Sequence, residues 1–254
     1  MPATADLLQQ HQPDGVPPLT LTGERTLPDL PAENYWFSRH LAAYQWIARR
    51  CSGLEVVDLA CGEGYGCAVL AERAATVVGV DANPEAHRHA RLKYRRAGVD
   101  FACELVERFE AECDAVVFLQ TIEHVAAPDE MLDHVRSLLR PGGVAYVSTP
   151  NVLTLAPAGA ARSDNPWHLR EYRPDEFRAL CGQTFEHVEL LGLFHARRLW
   201  LHDAALARRW DRCLDVLRLR EPFYRRFTPA LSARDFKLRE GPIERSLDLL
   251  AILR

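Results

Sequence analysis

Short apolar runs, each closed by an acid, a glycine or a proline, alternate through the middle of the chain with stretches whose apolar residues recur at helical spacing. Leu54-Glu55-Val56-Val57-Asp58-Leu59 is one such run, ending in a glycine-rich turn as a buried parallel strand does. Similar runs at 76–81, 99–103, 114–119 and 144–148 predict four more strands. Helices are predicted between them over 68–74, 84–97 and 128–139. Pro84 suits a first helical turn, and Pro141-Gly142-Gly143 stops the last helix. Strand and helix in turn, joined by short loops, make βαβ units and a parallel sheet with helices on both faces.

On either side of that rhythm the pattern changes. Residues 1–20 hold Gln, Pro and Asp without apolar periodicity, so a disordered lead is expected. Over 34–50, Tyr35, Trp36, Phe37, Leu41, Tyr44, Trp46 and Ile47 recur at roughly helical spacing and predict an N-terminal helix. After the fifth strand, 151–173 reads as irregular, 174–180 as a short helix and 185–193 as a strand. Residues 195–240 read as mainly helical and arginine-rich, and 246–253 as a closing strand.

Composition narrows the function classes. A chain of 254 residues fits one large core, or a core with an insertion. Apolar residues make up 48% and charged residues 26%, an ordinary globular balance. A net charge of −4 argues against a nucleic-acid partner held by phosphate neutralisation. Cys51, Cys61, Cys67, Cys103, Cys113, Cys181 and Cys213 are odd in number and include no C-x-x-C pair, so thiols of a reducing compartment are expected, not a disulfide framework or zinc ribbon. No signal-peptide pattern and no membrane-spanning apolar stretch is read, so a cytoplasmic location is expected.

The chemistry concentrates in Asp58-Leu59-Ala60-Cys61-Gly62-Glu63-Gly64-Tyr65-Gly66, between the first strand and the first helix. Glycine lets backbone turn sharply and approach a ligand, and open α/β sheets bind ligands beyond the carboxyl ends of their strands. Such a turn suits a dinucleotide or an adenosyl amino acid. Asp58 and Glu63 favour the second, because carboxylates rimming the loop repel a diphosphate and attract an ammonium and a sulfonium. Asp81, ending the second strand, is placed to accept hydrogen bonds from ribose hydroxyls, which either ligand offers.

The segment from Asp58 to Gly66 resembles the first motif of class I S-adenosylmethionine-dependent methyltransferases, with Ala60 where the first glycine usually stands. Gln120-Thr121-Ile122-Glu123-His124-Val125 is similar to that family's stretch after the fourth strand, and Leu139-Arg140-Pro141-Gly142-Gly143 to its turn before the fifth. The resemblance covers about residues 50–150 and the closing strand. It implies a Rossmann-like, doubly wound α/β sheet of seven strands in the order 3-2-1-4-5-7-6, strand 7 antiparallel and formed by 246–253. The implied division is a lead over 1–20, a lid helix over 21–52, a cofactor-binding core over 53–194, a helical insert over 195–243 and a final strand over 244–254. It further implies S-adenosyl-L-methionine as cofactor, held by Asp58, Ala60, Gly62, Gly64, Asp81, Ala82, Glu104 (near adenine) and Gln120, with Tyr35, Arg39 and His40 of the lid at the methionine end.

Polar and aromatic residues cluster outside that core. Gly23-Glu24-Arg25-Thr26 precedes the lid, and Asn165-Pro166-Trp167-His168 follows the fifth strand at the ligand edge. Methyl transfer to a hydroxyl gains from a base, and histidine suits that role: His124 is the first candidate and His168 the second. Some sugar and RNA 2′-hydroxyl methyltransferases bind a divalent cation through E-x-x-E-H and a later histidine. Here Glu123, His124 and His168 match, suggesting Mg2+, but Gln120 replaces the first glutamate. Arg197, Arg198, Arg208, Arg209, Arg212, Arg218, Arg220, Arg225 and Arg226 in the insert read mainly as a structural cover that shares in acceptor binding, with Trp200, Trp210, Phe223 and Tyr224.

The whole pattern resembles an actinobacterial group of methyltransferases, some associated with methylated polysaccharide assembly. That implies O-methylation of a saccharide or related hydroxyl compound. A quinone or other natural product as acceptor, a non-catalytic cofactor binder and a nicotinamide-dependent enzyme stand as alternatives.

Overall fold

The computed structural model describes residues 7–23, 25–157 and 159–254. Five parallel strands form where the apolar runs predict them: β1 (Glu55–Leu59), β2 (Thr76–Val80), β3 (Val99–Ala102), β4 (Cys113–Leu119) and β5 (Leu139–Pro150). Around them lie α1 (Asn34–Ala48), α2 (Tyr65–Leu70), α3 (Pro84–Lys93), α4 (Pro128–Ser137), α5 (Val152–Leu155) and α6 (Pro174–Thr184). The strands are apolar on both sides because both faces are covered. Along β4, Ala115, Val117 and Leu119 enter the core beneath α1 and α2, while Val116 and Phe118 enter the opposite core beneath α4 and α6. A period of two thus divides one apolar run between two cores.

The remaining strands are β6 (Val188–His195), β7 (Phe236–Arg239) and β8 (Asp248–Leu253), giving the order β3-β2-β1-β4-β5-β8-β6-β7. The closing strand β8 inserts antiparallel between β5 and β6, as the expected strand 7 does. The sheet therefore has eight strands, not seven. The addition is β7, which pairs antiparallel with β6 at the edge and turns Phe236 and Leu238 inward. Two antiparallel steps make β6 run with β1–β5. Its last residue, His195, consequently lies at the same sheet edge as the loops after β1, β2 and β4.

Local chemistry sets the ends of the elements. Asn83 caps α3 by accepting from the amides of Glu85 and Ala86, and Pro84 fills the first turn. Pro128 and Pro174 open α4 and α6 in the same way. Pro141-Gly142-Gly143, expected as a turn, lies inside β5 at a register shift against β4; Gly142 takes φ 81°, and a Cβ on Gly143 would meet the carbonyl oxygens of Arg140 and Asp114 at 3.0 Å. The insert holds α7 (Arg197–Leu206), α8 (Trp210–Val216) and α9 (Arg220–Phe227) before the chain returns through β7.

The expected disordered lead is corrected over residues 7–20; residues 1–6 and Glu24 lie outside the described residues. Leu8 bridges Thr20, and Leu19, Leu27 and Leu30 form a small core of their own. The segment lacks periodicity because it packs as a strap, not as a helix or strand. Among the described residues no helix is long and apolar enough to cross a membrane.

Candidate active site

The loop after β1 turns through three left-handed positions: Ala60 (φ 56°), Gly62 (φ 56°) and Gly64 (φ 95°). These glycines serve different neighbours. A Cβ on Gly64 would meet that of Ala90 at 2.7 Å, and one on Gly66 would enter the ring of Tyr44, so both positions admit close packing by the protein itself. A Cβ on Gly62 would meet nothing within 4 Å. Gly62 is therefore the open point of the loop. Its amide donates to Oδ2 of Asp81 (2.8 Å), whose Oδ1 accepts from the amide of Asn83 (2.8 Å), so the half-buried Asp81 carboxylate joins the ends of β1 and β2 at that opening.

The expected carboxylate rim is not formed. Asp58 is fully buried, and its oxygens accept from the Tyr44 hydroxyl (3.2 Å) and the Cys67 thiol (3.3 Å) beneath the loop. Burial pushes its carboxyl up to about 7 against those two hydrogen bonds. Glu63 turns away as well, toward Gln9, His89, Lys93 and Tyr94, at 3.1, 2.9, 2.7 and 2.6 Å. Burial alone would raise its pKa, but hydrogen bonds from His89, Lys93 and Tyr94 outweigh that and hold it below the usual range. Both carboxylates support the loop from inside, and only Asp81 faces its open side.

The lid residues are also engaged elsewhere. Arg39 is buried, with Nε 2.7 Å from Asp248, a second ion-pair contact to the same carboxylate, and Nη2 donating to the Leu247 carbonyl (2.7 Å). It therefore ties α1 to the start of β8. The Tyr35 hydroxyl lies 2.8 Å from Nε2 of His195, whose Nδ1 is 2.7 Å from Asp203. Desolvation drops His40 to about 4, so its ring is neutral. Arg39 and His40 still line a narrow cleft with Gln120, Ser148, Leu193 and Asp248. Gln120, left-handed at φ 51°, donates its backbone amide to the Ser148 carbonyl (3.0 Å) and its side-chain amide to the Ser148 hydroxyl (3.0 Å). Ala82 and Glu104 are exposed after β2 and β3, neighbouring strands, with Glu104 accepting from the amide of Leu105.

Glu123, His124 and His168 do come together: one ligand-type atom from each lies within 4.8 Å of the others. Glu123 and His124 belong to a single turn after β4. The Glu123 carbonyl accepts from the amides of Leu169 and Arg170, which pulls the 165–170 loop onto that turn. Nδ1 of His124 is 2.8 Å from the Trp167 carbonyl; a carbonyl only accepts, so Nδ1 carries the proton and Nε2 is the basic nitrogen. His168 is held at both nitrogens, Nδ1 by Glu171 (2.7 Å) and Nε2 by the Asn165 side-chain amide (2.9 Å), which corrects its candidacy as a base. Its ring instead packs edge-on to His124, centroids 5.1 Å apart. Burial pushes the Glu123 carboxyl up to about 8, so it is neutral at pH 7.

A methyltransferase domain model matches residues 30–202. A Mycobacterium tuberculosis protein named a probable S-adenosylmethionine-dependent methyltransferase is 38% identical over 248 residues, 92% of this chain and 89% of that protein. The chain is an S-adenosylmethionine-dependent methyltransferase. A similarly named Mycolicibacterium smegmatis protein is 41% identical to this methyltransferase over 197 residues, 76% of each chain. A Chelativorans protein named ubiquinone biosynthesis O-methyltransferase is 31% identical over 186 residues, 66% of this chain and 70% of that one. In fold, a Thermotoga maritima structure described as an S-adenosylmethionine-dependent methyltransferase, a possible histamine N-methyltransferase, aligns with TM-score 0.58 at 16% identity, covering 86% of this chain and 92% of that one. The family excludes the nicotinamide alternative. The open side of Gly62 and the Asp81 carboxylate beside it fit an adenosyl ligand at the β1–β2 edge.

Some of these contacts join residues whose pairing the sequence does not show. Asn165 and Glu171 hold His168 from three residues to either side, a spacing that marks a tight loop. Tyr44 shows in the sequence only through its helical spacing, yet its hydroxyl supports Asp58. His195 and Asp203 carried no motif, because their meeting depends on β6 ending beside α7.

Proposed function

We propose that this methyltransferase methylates a hydroxyl oxygen of a saccharide or related compound, with His124 as the base. The carrying observation is the Nδ1-protonated His124 on the turn after β4, one strand from the Gly62–Asp81 opening. Bound S-adenosylmethionine supplies an electrophilic methyl group on a sulfonium. In this reading Asp81 accepts from the ribose hydroxyls, Ala60, Gly62 and Gly64 shape the loop, and Ala82 and Glu104 flank the adenine. Gln120, fixed by Ser148, separates the cofactor from the acceptor. The acceptor's O–H proton passes to His124 Nε2 as its oxygen forms the new bond to the methyl carbon and the carbon–sulfur bond breaks. Holding oxygen, carbon and sulfur in line provides most of the acceleration. His168 acts indirectly, by fixing the loop whose carbonyl orients His124. Five buried thiols suit a reducing compartment, so we assign the reaction to the cytoplasm.

The donor set does not fit Mg2+. That ion takes mostly oxygen ligands, whereas this cluster offers two imidazoles and a single carboxyl, and both His168 nitrogens are already engaged. No step is routed through a cation.

A quinone or another natural product is the second reading, favoured by the kinship with proteins named ubiquinone biosynthesis O-methyltransferases. Incubation with methyl-labelled cofactor and a panel of oligosaccharides, phenols and quinols separates the two. Label on saccharide oxygen supports the first; label only on phenols or quinols overturns it.

A further inference from the structure

The insert between β6 and β7 carries an aromatic cluster. His202 lies against Phe227 (ring centroids 5.1 Å apart) and bonds the Tyr224 hydroxyl (2.9 Å), while Trp210 packs edge-on to Phe223 at 5.3 Å. Leu199 and Leu214 are buried beside them. Yet the four most exposed large apolar side chains among the described residues all belong to this insert: Val216 at 81%, Leu217 at 63%, and Trp200 and Leu201 at 62% each. Leu219 adds 47%. Val216, Leu217 and Leu219 sit together at the turn between α8 and α9, interleaved with Arg218 and Arg220. The insert gathers four of its aromatics, half-buried, against one another and still leaves aliphatic residues exposed at one tip, which is suited to leave water elsewhere.

The charge around the tip identifies the occupant. Residues 195–228 hold nine arginines and four acidic residues, a net of +5 in a chain of net −4, so the rest of the molecule carries −9. Arg220 pairs with Asp215, but the side chains of Arg209, Arg212, Arg218, Arg225 and Arg226 make no ion pair or hydrogen bond among the described residues. We infer that the α8–α9 turn docks the enzyme on an anionic bilayer surface, Val216, Leu217 and Leu219 entering the headgroup–acyl boundary and the unpaired arginines meeting lipid phosphates. Apolar side chains flanked by cations are what a monotopic contact requires. Three aliphatic side chains on a narrow turn fall well short of the roughly 800 Å² per partner of a stable protein interface. They also have no use on a nucleic-acid backbone. The insert is anchored at the ligand edge of the sheet, through His195–Asp203 and through Asn34, which donates to the carbonyls of Thr228 and Leu231. The inference stands independently of the acceptor's identity.

The test is cosedimentation of the full chain with vesicles of phosphatidylcholine alone, or mixed with phosphatidylglycerol. Binding is expected only to the anionic vesicles, and is expected to fall steeply between about 50 and about 500 mM salt. The pair Val216→Glu with Leu217→Glu should lower partitioning at least about tenfold. Arg218→Ala and Arg225→Ala should each lower it about fivefold. Leu92→Glu, at an exposed leucine of arginine-rich α3, should leave it unchanged. Unaltered circular dichroism and S-adenosylhomocysteine affinity establish that the variants fold. Absence of anionic-vesicle binding, binding that survives the double substitution, or a vesicle-free dimer that the double substitution dissolves would each overturn the inference.

Discussion

Two buried carboxyls give the enzyme an unusual dependence on pH. Asp58 and Glu123 are raised by burial to about 7 and about 8, so the native state holds their protons more tightly than the unfolded chain does. For a carboxyl raised on folding, the stability it contributes is complete below the unfolded pKa, near 4, and is lost as pH rises through the folded value. Glu63 and Glu171 are lowered, so their contribution runs the other way and is lost on acidification below about pH 4. The melting temperature should therefore be highest near about pH 4 to 5 and decline toward pH 8, by thermal unfolding across buffers of equal ionic strength. Asp58→Asn and Glu123→Gln should each flatten that decline; an unchanged slope in both would show that neither carboxyl is neutral. Asp58 was legible as a loop residue from its spacing to the glycines. Its orientation was not, because it depends on Tyr44 reaching across from α1. Gly66 illustrates the same limit: it belongs to the motif, but it is needed for the Tyr44 ring. Gly66→Ala should cost about 1–3 kcal/mol in chemical denaturation by overpacking.

At the scale of elements, α1 is held to the sheet by one ion pair as much as by its apolar face. Arg39 and Asp248 are both buried, and removing one partner leaves a charge uncompensated. Arg39→Ala should destabilise by about 3–5 kcal/mol, whereas Arg39→Met combined with Asp248→Leu should recover most of that loss. Denaturant midpoints for the two variants decide it; equal midpoints would deny the pair its role. The sequence showed α1 through its aromatic spacing, and that spacing could not reveal that a strand more than two hundred residues away claims its arginine. β7 went unread for a different reason. Four residues alternating Phe-Lys-Leu-Arg carry too short a period to stand out of an arginine-rich insert, and only pairing with β6 makes them a strand. β1 to β5 were legible because strands covered on both faces are nearly continuous apolar runs.

For the whole molecule, the family and the sheet order followed from the motif after β1 and from the alternation of elements. The electrostatic reason first attached to that motif did not survive, since Asp58 and Glu63 face inward. What remains at the ligand edge is an opening at Gly62 beside Asp81, a cleft bordered by Gln120, and His124 held by the Trp167 carbonyl. Because the cluster is poorly suited to Mg2+, turnover should be unchanged within about twofold after exhaustive chelation and on adding Mg2+ back. A large loss restored by the ion would reverse that assignment. The central claim is that methyl transfer to oxygen depends on His124, and single-turnover transfer from labelled S-adenosylmethionine tests it most directly. His124→Ala should slow the step by about 10²–10⁴ while leaving S-adenosylhomocysteine affinity intact. An unaltered rate in that variant, with cofactor still bound, would contradict the account.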